Sequence, residues 1–151
     1  MLGENVFGDG RANTFFGGAQ ADTLRGGTGA DVLRGGGGKD VLDGGDGNDL
    51  IDGGAGADTL TGGGGNDIFV LRKGEANGDT IIGFFGRGAA DGDSIQLEGF
   101  GDGTLFYRVG GGSSTTFRID DHGWVETLTI IATGQIHSTD YSFDPNVHIS
   151  I

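Results

Sequence analysis

The chain has 151 residues, of which 36 are glycine and only 34% are hydrophobic, and its formal net charge is −13 at pH 7. This charge argues against DNA, RNA or anionic lipid held by bulk electrostatics, and the lack of cysteine excludes disulfides and cysteine-based metal sites. The length predicts one or two small domains, and the glycine-rich, weakly hydrophobic composition predicts a thin apolar core. Apolar runs reach only four residues, as in Ile68–Leu71, so no membrane span is predicted. Met1–Asn5 lacks the basic start and apolar run of a signal peptide.

Residues 1–16 are predicted to form an N-terminal cap of degenerate repeats. Gly8–Phe16 has the frame of the nine-residue unit that follows it, with Asn13 in the position of the aspartate and Phe15 in the position of the inward apolar residue. Glu4 and Val6 occupy the same two positions one unit earlier. Terminal units of a repeat array are usually atypical, so weaker metal binding is expected here.

Residues 17–70 consist of six nine-residue units that follow one another without a gap. Each unit begins with Gly-Gly and has an aspartate sixth and a large apolar residue eighth. The aspartates are Asp22, Asp31, Asp40, Asp49, Asp58 and Asp67, and the apolar residues are Leu24, Leu33, Leu42, Ile51, Leu60 and Phe69. The glycine-rich part suits a tight turn, because glycine takes positive φ without steric cost. The last three residues suit a short strand with one side chain inward.

Two such units would make one 18-residue coil of a parallel roll whose strands lie about 4.8 Å apart. Residue i would then lie beneath residue i+18, so that the aspartates form two ladders. Carboxylates about 5 Å apart repel by roughly 3 kcal/mol at an effective dielectric constant of about 20, so a cation is expected between them. Calcium, which takes about six to eight oxygen ligands at ~2.3–2.6 Å, suits carboxylates and loop carbonyls better than magnesium does.

The predicted calcium ligands fall into three groups. About four complete sites pair aspartates 18 residues apart: Asp22/Asp40, Asp31/Asp49, Asp40/Asp58 and Asp49/Asp67. Loop carbonyls are expected from the glycines at the second and fourth positions of the units: Gly27, Gly29, Gly36, Gly38, Gly45, Gly47, Gly54, Gly56, Gly63 and Gly65. Incomplete sites at the two ends would use Asn13, which precedes Asp31 by 18 residues, and Asp79, which lies near the position that pairs with Asp58.

Three other interpretations of this segment fit less well. A flexible Gly/Asp-rich linker needs neither a strict period nor an apolar residue at every ninth position. A phosphate-binding loop is excluded, because Asp40 follows Lys39 where serine or threonine is required. No segment has the EF-hand spacing.

The unit G-G-x-G-x-D-x-U-x, in six tandem copies, is identified as the nonapeptide of the RTX (repeat-in-toxin) calcium-binding family. The resemblance implies an all-β fold, a right-handed parallel β-roll (β-solenoid) of stacked 18-residue coils. It also implies export from a Gram-negative bacterium by a type I secretion system and folding on calcium in the extracellular medium. The implied partner within the larger secreted protein is an N-terminal catalytic or adhesive domain.

Residues 71–151 lose the nine-residue period and show strand patterns separated by turn signals. The predicted strands are Asp79–Phe85, Ser94–Glu98, Thr104–Val109, Thr115–Asp120, Glu126–Ala132 and His148–Ile151. We interpret them as a small antiparallel β unit that continues or caps the roll. Asp79–Phe84 and Gly92–Leu97 resemble the segment after the repeats in serralysin-type proteases, type I-secreted lipases and alginate epimerases. In those families the C-terminal region carries the secretion signal, for which Asp140–Phe143 is the candidate here.

The sequence predicts a non-catalytic module. The metalloprotease motif HExxH and the nucleophile motif GxSxG are both absent. Asp120, Asp121 and His122 form an acid/base candidate, but a surface turn explains them better. The alternative function is a carbohydrate-binding auxiliary module for an acidic extracellular polysaccharide, opposed by the net charge of −13. Its sugar-contacting face would contain Trp124, Tyr107, Arg108 and Arg118, which are otherwise half-buried strand residues.

Overall fold

The computed structural model describes residues 3–85, 92–101, 105–109, 114–132, 141–142 and 148–149. Every regular element in these ranges is a β-strand, which confirms the predicted all-β class. The strands are β1 (Asn5–Phe7), β2 (Thr14–Gly18), β3 (Thr23–Thr28), β4 (Val32–Gly38), β5 (Val41–Asp46), β6 (Leu50–Gly56), β7 (Thr59–Gly64), β8 (Ile68–Arg72), β9 (Asp79–Phe84), β10 (Ser94–Glu98), β11 (Leu105–Arg108), β12 (Ser114–Asp121), β13 (Trp124–Ala132), β14 (Tyr141–Ser142) and β15 (His148–Ile149). The described residues contain no helix with the length and hydrophobicity that a membrane crossing requires.

Odd-numbered and even-numbered strands of the repeats form two separate parallel sheets. The first sheet runs β1-β3-β5-β7-β9, and the second runs β2-β4-β6-β8-β10 when read from its N-terminal end. In the first sheet Leu24 pairs with Leu42, and Leu42 pairs with Leu60. Each residue therefore lies beneath the residue 18 positions later, which confirms the predicted coil of a parallel β-roll.

The core lies between the two sheets and is built from the inward eighth residue of each unit. These residues are fully buried: Leu24, Leu33, Leu42, Ile51, Leu60 and Phe69. Burial of a side chain of this size contributes roughly 1.5–3 kcal/mol. The core widens at the C-terminal end, where Leu71, Ile81, Phe84 and Ile95 join it and the Phe69 and Phe84 rings lie 6.1 Å apart.

The parallel roll continues beyond residue 70. β9 pairs in parallel with β7, and β10 pairs in parallel with β8. β13 pairs in parallel with β9 but antiparallel to β12, which is antiparallel to β11. The predicted antiparallel unit is thus found in β11–β13, whereas the predicted strands at Asp79 and Ser94 extend the parallel sheets. They do so because each keeps the Asp-x-apolar step of the repeats while a longer segment replaces the glycine turn.

The last strands of the chain complete both sheets. β14 pairs in parallel with β10, and β15 pairs in parallel with β11. The candidate secretion signal Asp140–Phe143 lies outside the described residues except for Tyr141–Ser142. The predicted final strand, His148–Ile151, is described only over His148–Ile149.

The segment between β8 and β9 attaches the roll to the β12–β13 hairpin. Lys73 Nζ donates to Asp121 Oδ2 at 2.6 Å, and the Gly74 N–H donates to Glu126 Oε1 at 2.5 Å. Asp121 and Glu126 are both buried. The antiparallel unit is therefore held on the roll by charged and backbone hydrogen bonds as well as by the shared sheet.

Candidate metal centre

The sixth-position aspartates form two hydrogen-bonded ladders along the roll. The backbone N–H of Asp22 donates to Oδ1 of Asp40 at 2.7 Å, and that of Asp40 donates to Oδ1 of Asp58 at 2.8 Å. In the second ladder the N–H of Asp31 donates to Oδ1 of Asp49 at 2.8 Å. The bond from Asp49 to Asp67 is 2.9 Å long. All four predicted pairs are therefore brought together, each carboxylate anchored through one oxygen to the coil before it.

The second carboxylate oxygen of every repeat aspartate is buried and has no hydrogen-bond partner. These atoms are Oδ2 of Asp22, Asp31, Asp40, Asp49, Asp58 and Asp67. A buried ionised carboxylate oxygen without a partner costs several kcal/mol, so such groups either take up a proton or bind a cation. The six oxygens thus fit a cation that the carboxylates would share with neighbouring backbone groups.

Backbone carbonyls of the next coil lie beside four of these oxygens, those of Asp22, Asp31, Asp40 and Asp49, where the first residue of the unit is glycine. A Cβ added at Gly26 would lie 2.2 Å from Asp31 Oδ2 and 2.5 Å from the Gly44 carbonyl oxygen. At Gly35 the same two contacts, to Asp40 Oδ2 and the Gly53 carbonyl, would be 2.3 and 2.6 Å. The first glycine therefore leaves space in which a carboxylate oxygen and a carbonyl oxygen approach each other. Both are hard donors of the kind calcium prefers.

The glycines at the second and fourth positions of the units permit close stacking of successive loops. All ten that were predicted as carbonyl ligands have a positive φ, between 84° and 158°. A Cβ at Gly45 would lie 2.0 Å from the carbonyl oxygen of Gly27, and one at Gly47 would lie 1.8 Å from that of Gly29. No other residue fits these positions, because both the dihedral angle and the approach of a backbone oxygen exclude a side chain.

At the N-terminal end, Asn13 occupies its predicted place in the ladder but differs from the aspartates. Its N–H donates to Asp31 Oδ1 at 2.7 Å. Its own Oδ1 accepts a hydrogen bond from the Asp9 N–H at 3.0 Å. The amide oxygen is thus satisfied within the protein, which fits the weaker cation binding expected of the degenerate units.

At the C-terminal end, both ladders continue past the intact repeats. The Asp58 N–H donates to Asp79 Oδ1 at 2.9 Å, so Asp79 takes the position predicted for it although 21 residues separate the pair. The Asp67 N–H donates to Asp93 Oδ1 at 3.1 Å, and Asp93 Oδ2 accepts the Phe85 N–H at 2.8 Å. Sequence reasoning missed Asp93 as a ladder residue. The available signal was the step Asp93-Ser94-Ile95, which repeats the pattern of Asp67-Ile68-Phe69.

Burial raises the pKa values of five ladder carboxyl groups, those of Asp40, Asp49, Asp58, Asp67 and Asp79. Desolvation raises the pKa of Asp40 to about 6, against the lowering effect of the hydrogen bond from the Asp22 backbone, with further increases from the charges of Asp58 and Asp22. Burial likewise raises the pKa of Asp67 and that of Asp79 to about 7. Without a cation, Asp40, Asp67 and Asp79 therefore retain protons up to near-neutral pH. A bound cation would compete with those protons.

The donor set distinguishes among metals. Within the ranges that the structure describes, no three His, Asp or Glu side chains converge as a metal cluster. A cation in the ladders would therefore be held by two carboxylates at most, with backbone carbonyls completing its shell. Such an all-oxygen, loop-based set suits calcium, and it offers none of the nitrogen or sulfur ligands that zinc commonly uses.

The structure places the acid/base candidate Asp120–His122 at the end of β12 and in the turn that follows it. Asp120 and Asp121 end β12, and His122 begins the turn to β13 with a φ of 52°. Its Nδ1 lies 2.7 Å from Asp121 Oδ1, while the other Asp121 oxygen binds Lys73. The Gly123 N–H is 3.3 Å from Asp120 Oδ1. The exposed His122 fits the surface-turn interpretation, whereas Asp121 is buried and fixes the turn to the roll.

The predicted sugar-contacting face is not formed as expected. Arg118 pairs in register with Thr127, and Trp124 precedes Thr127 by three positions. Because side chains alternate along a strand, Arg118 and Trp124 lie on opposite faces of the hairpin. Trp124 Nε1 instead donates to Glu126 Oε1 at 2.8 Å. Tyr107 is the register partner of Arg118, and Arg108 that of Phe117.

Two solution structures from Azotobacter vinelandii, both of mannuronan C5-epimerase subunits, are similar to the chain. The AlgE6R3 subunit is 21% identical with a TM-score of 0.38, and the match covers 89% of this chain and 80% of that one. The AlgE6R2 subunit is 24% identical with a TM-score of 0.36, and the match covers 91% of each chain. No curated protein sequence matches the chain.

The family comparison identifies the repeats. Residues 7–42 and 34–69 match the family model HemolysinCabind, described as the RTX calcium-binding nonapeptide repeat. The segment that contains the six repeat aspartates therefore consists of RTX nonapeptides, which confirms the resemblance found in the sequence. The protein contains an RTX calcium-binding repeat module.

Proposed function

We propose that this module binds calcium along both aspartate ladders and folds when the ions bind. The observation that carries the proposal is the set of six buried Oδ2 atoms without a partner. Each is a hard oxygen donor, four of them lie beside a backbone carbonyl, and each destabilises the fold if it stays ionised and unpaired. Calcium removes that penalty and also bridges successive coils.

The thin core is the second support for calcium-dependent folding. Each unit buries one apolar side chain for nine ordered residues, several of them glycine. Glycine loses more conformational freedom on folding than any other residue, so one buried leucine does not offset the ordering of a unit. Metal-binding free energy then becomes folding free energy, as in other small metal-stabilised domains.

The proposed biological role is that of a folding and secretion module within a larger secreted bacterial protein. RTX repeats are typical of such proteins. With a net charge of −13 the calcium-free chain repels itself and stays extended, a state suited to export by a type I system from a calcium-poor cytosol. Folding in the calcium-rich medium would then retain the chain outside and stabilise an attached N-terminal catalytic or adhesive domain. The module itself has a binding and structural role rather than a catalytic one.

Far-ultraviolet circular dichroism during a calcium titration tests the folding switch, with magnesium titrated as the control ion. We expect a cooperative change from coil to β-structure with calcium, and a much weaker response to magnesium. A spectrum already β-rich in chelator, or an equal response to both ions, contradicts the proposal.

A further inference from the structure

The outer face of the second sheet contains a trough of about 280 Å³ that runs across the strands. Its floor is a column of second-position glycines in register, Gly18, Gly36 and Gly54. The neighbouring outward column holds Phe16, Arg34 and Asp52. The trough exists because a column without side chains lies next to a column of long ones.

The walls of the trough are held in place by ion pairs. Arg34 packs over the Phe16 ring at 5.5 Å from its centroid, and its Nε lies 3.8 Å from Asp52 Oδ2. Arg72 also pairs with Asp52, whose side chain is only 6% exposed, and Arg72 Nε lies 3.0 Å from Glu98 Oε2. Arg72 thus bounds one end of the trough, while at the other end Phe16 is 63% exposed.

The charges on the lining indicate which ligand suits the trough. Two arginines of the lining, Arg34 and Arg72, are matched by two carboxylates, Asp52 and Glu75, and Arg72 also pairs with Glu98. The walls therefore present both donors and acceptors with no excess of positive charge, while the chain as a whole carries −13 and repels polyanions. An exposed aromatic ring offers an apolar contact surface beside these polar groups. Hydroxyl groups on a ring with an apolar face match this combination.

We propose that this trough binds a segment of a neutral polysaccharide, with Phe16 stacking on one sugar ring and the Arg34–Asp52–Arg72 cluster bonding to hydroxyl groups. The site is distinct from the cap residues that the sequence suggested for an acidic polysaccharide. The trough exists only in the folded roll, so the proposal rests on calcium-dependent folding.

The first sheet supplies a matched control within the same chain. Arg25 packs over Phe7 at 5.6 Å and lies 4.0 Å from Asp43. Asp43, however, is 43% exposed on its side chain, whereas Asp52 is buried between two arginines. Phe7 and Phe16 are equally exposed, at 63%. Phe7→Ala therefore removes an equally exposed phenylalanine ring that also packs against an arginine but lies outside the proposed site.

Affinity electrophoresis with millimolar calcium tests the proposal. The gels contain hydroxyethyl cellulose, laminarin or galactomannan as neutral polysaccharides, or alginate as the acidic one. We expect retardation by at least one neutral polysaccharide, binding about tenfold weaker for Phe16→Ala, and unchanged binding for Phe7→Ala. The proposal is overturned by retardation in alginate alone, by no retardation, or by equal losses in the two variants.

Circular dichroism of the same samples separates this proposal from the proposed function. A module that is β-structured in calcium but not retarded overturns the trough alone. A module that stays unfolded in calcium overturns both. Both phenylalanines are largely exposed, so both variants are expected to keep the wild-type spectrum.

Discussion

Replacing the first glycine of a repeat is expected to damage the metal centre in a way that replacing the third does not. Gly35 and Gly37 lie in the same unit, and neither has a positive φ. A Cβ at position 35 would lie 2.3 Å from Asp40 Oδ2 and 2.6 Å from the Gly53 carbonyl oxygen. At position 37 the nearest atom would be 3.8 Å away.

The magnitude follows from these distances. Overpacking a tight site costs about 1–3 kcal/mol, and Gly35→Ala belongs at the upper end because one of the two atoms it meets is backbone. A loss of about 3 kcal/mol lowers the melting temperature of a chain of this size by about 6–12 °C. Gly37→Ala should change stability by no more than about 0.5 kcal/mol.

Thermal denaturation in saturating calcium, followed by circular dichroism, measures both variants against the parent protein. A calcium titration of each variant adds the midpoint of folding, which should move to higher calcium only for Gly35→Ala. Equal melting temperatures and equal calcium midpoints for the two variants would refute the assignment of the Asp40 site.

Three further predictions concern the ladder. Asp49→Asn should reduce the number of calcium ions bound at equilibrium, because Asp49 belongs to two predicted pairs. Asp46→Asn, an exposed change in the same unit, should leave that number unchanged. A loss of bound calcium in Asp46→Asn but not in Asp49→Asn would contradict the site. In chelator, acid should stabilise the β-structure. Burial raises the folded-state pKa of Asp40 from 3.8 to about 6 and that of Asp67 from 3.8 to about 7. The stabilisation by protonation is therefore complete below about pH 4 and is lost as the pH rises through 6 to 7. A larger β-structured fraction at pH 8 than at pH 5 in chelator, measured by circular dichroism, would show the sign to be wrong. Asp93→Ala removes the carboxylate that accepts the Asp67 N–H and should lower the free energy of unfolding in urea by about 1–3 kcal/mol. An unchanged midpoint would remove Asp93 from the ladder.

The periodic part of the fold could be predicted because one rule fixes each of its features. Glycines set the turns, the apolar residue sets the inward face, and the 18-residue step sets the register. The pairing of Asp22 with Asp40 follows from that step alone. The buried Oδ2 atoms are a further consequence, since a sixth-position side chain in a tight turn has no room to reach solvent.

The C-terminal part was harder to predict because its spacing is irregular. Asp79 follows Asp58 by 21 residues and Asp93 follows Asp67 by 26, so no fixed period reveals their equivalence. Periodicity also gives no information about which side chains share a face of the β12–β13 hairpin. That depends on pairing register, which places Trp124 and Arg118 on opposite faces.

The trough on the second sheet had no sequence signal of its own. Its floor follows from the repeat, since every unit has glycine in the second position. Its closed end depends on Arg72, which reaches back to Asp52 from a segment where the repeat has already ended. Such a contact between periodic and non-periodic parts appears only in three dimensions.

Equilibrium dialysis against buffered calcium, with folding followed on the same samples, tests the central claim most directly. If the buried Oδ2 atoms are calcium ligands, the module binds about four or more ions, and β-structure appears over the same calcium range in which they bind. Binding of one ion or none per chain, or binding with no change in β-structure, would contradict the account.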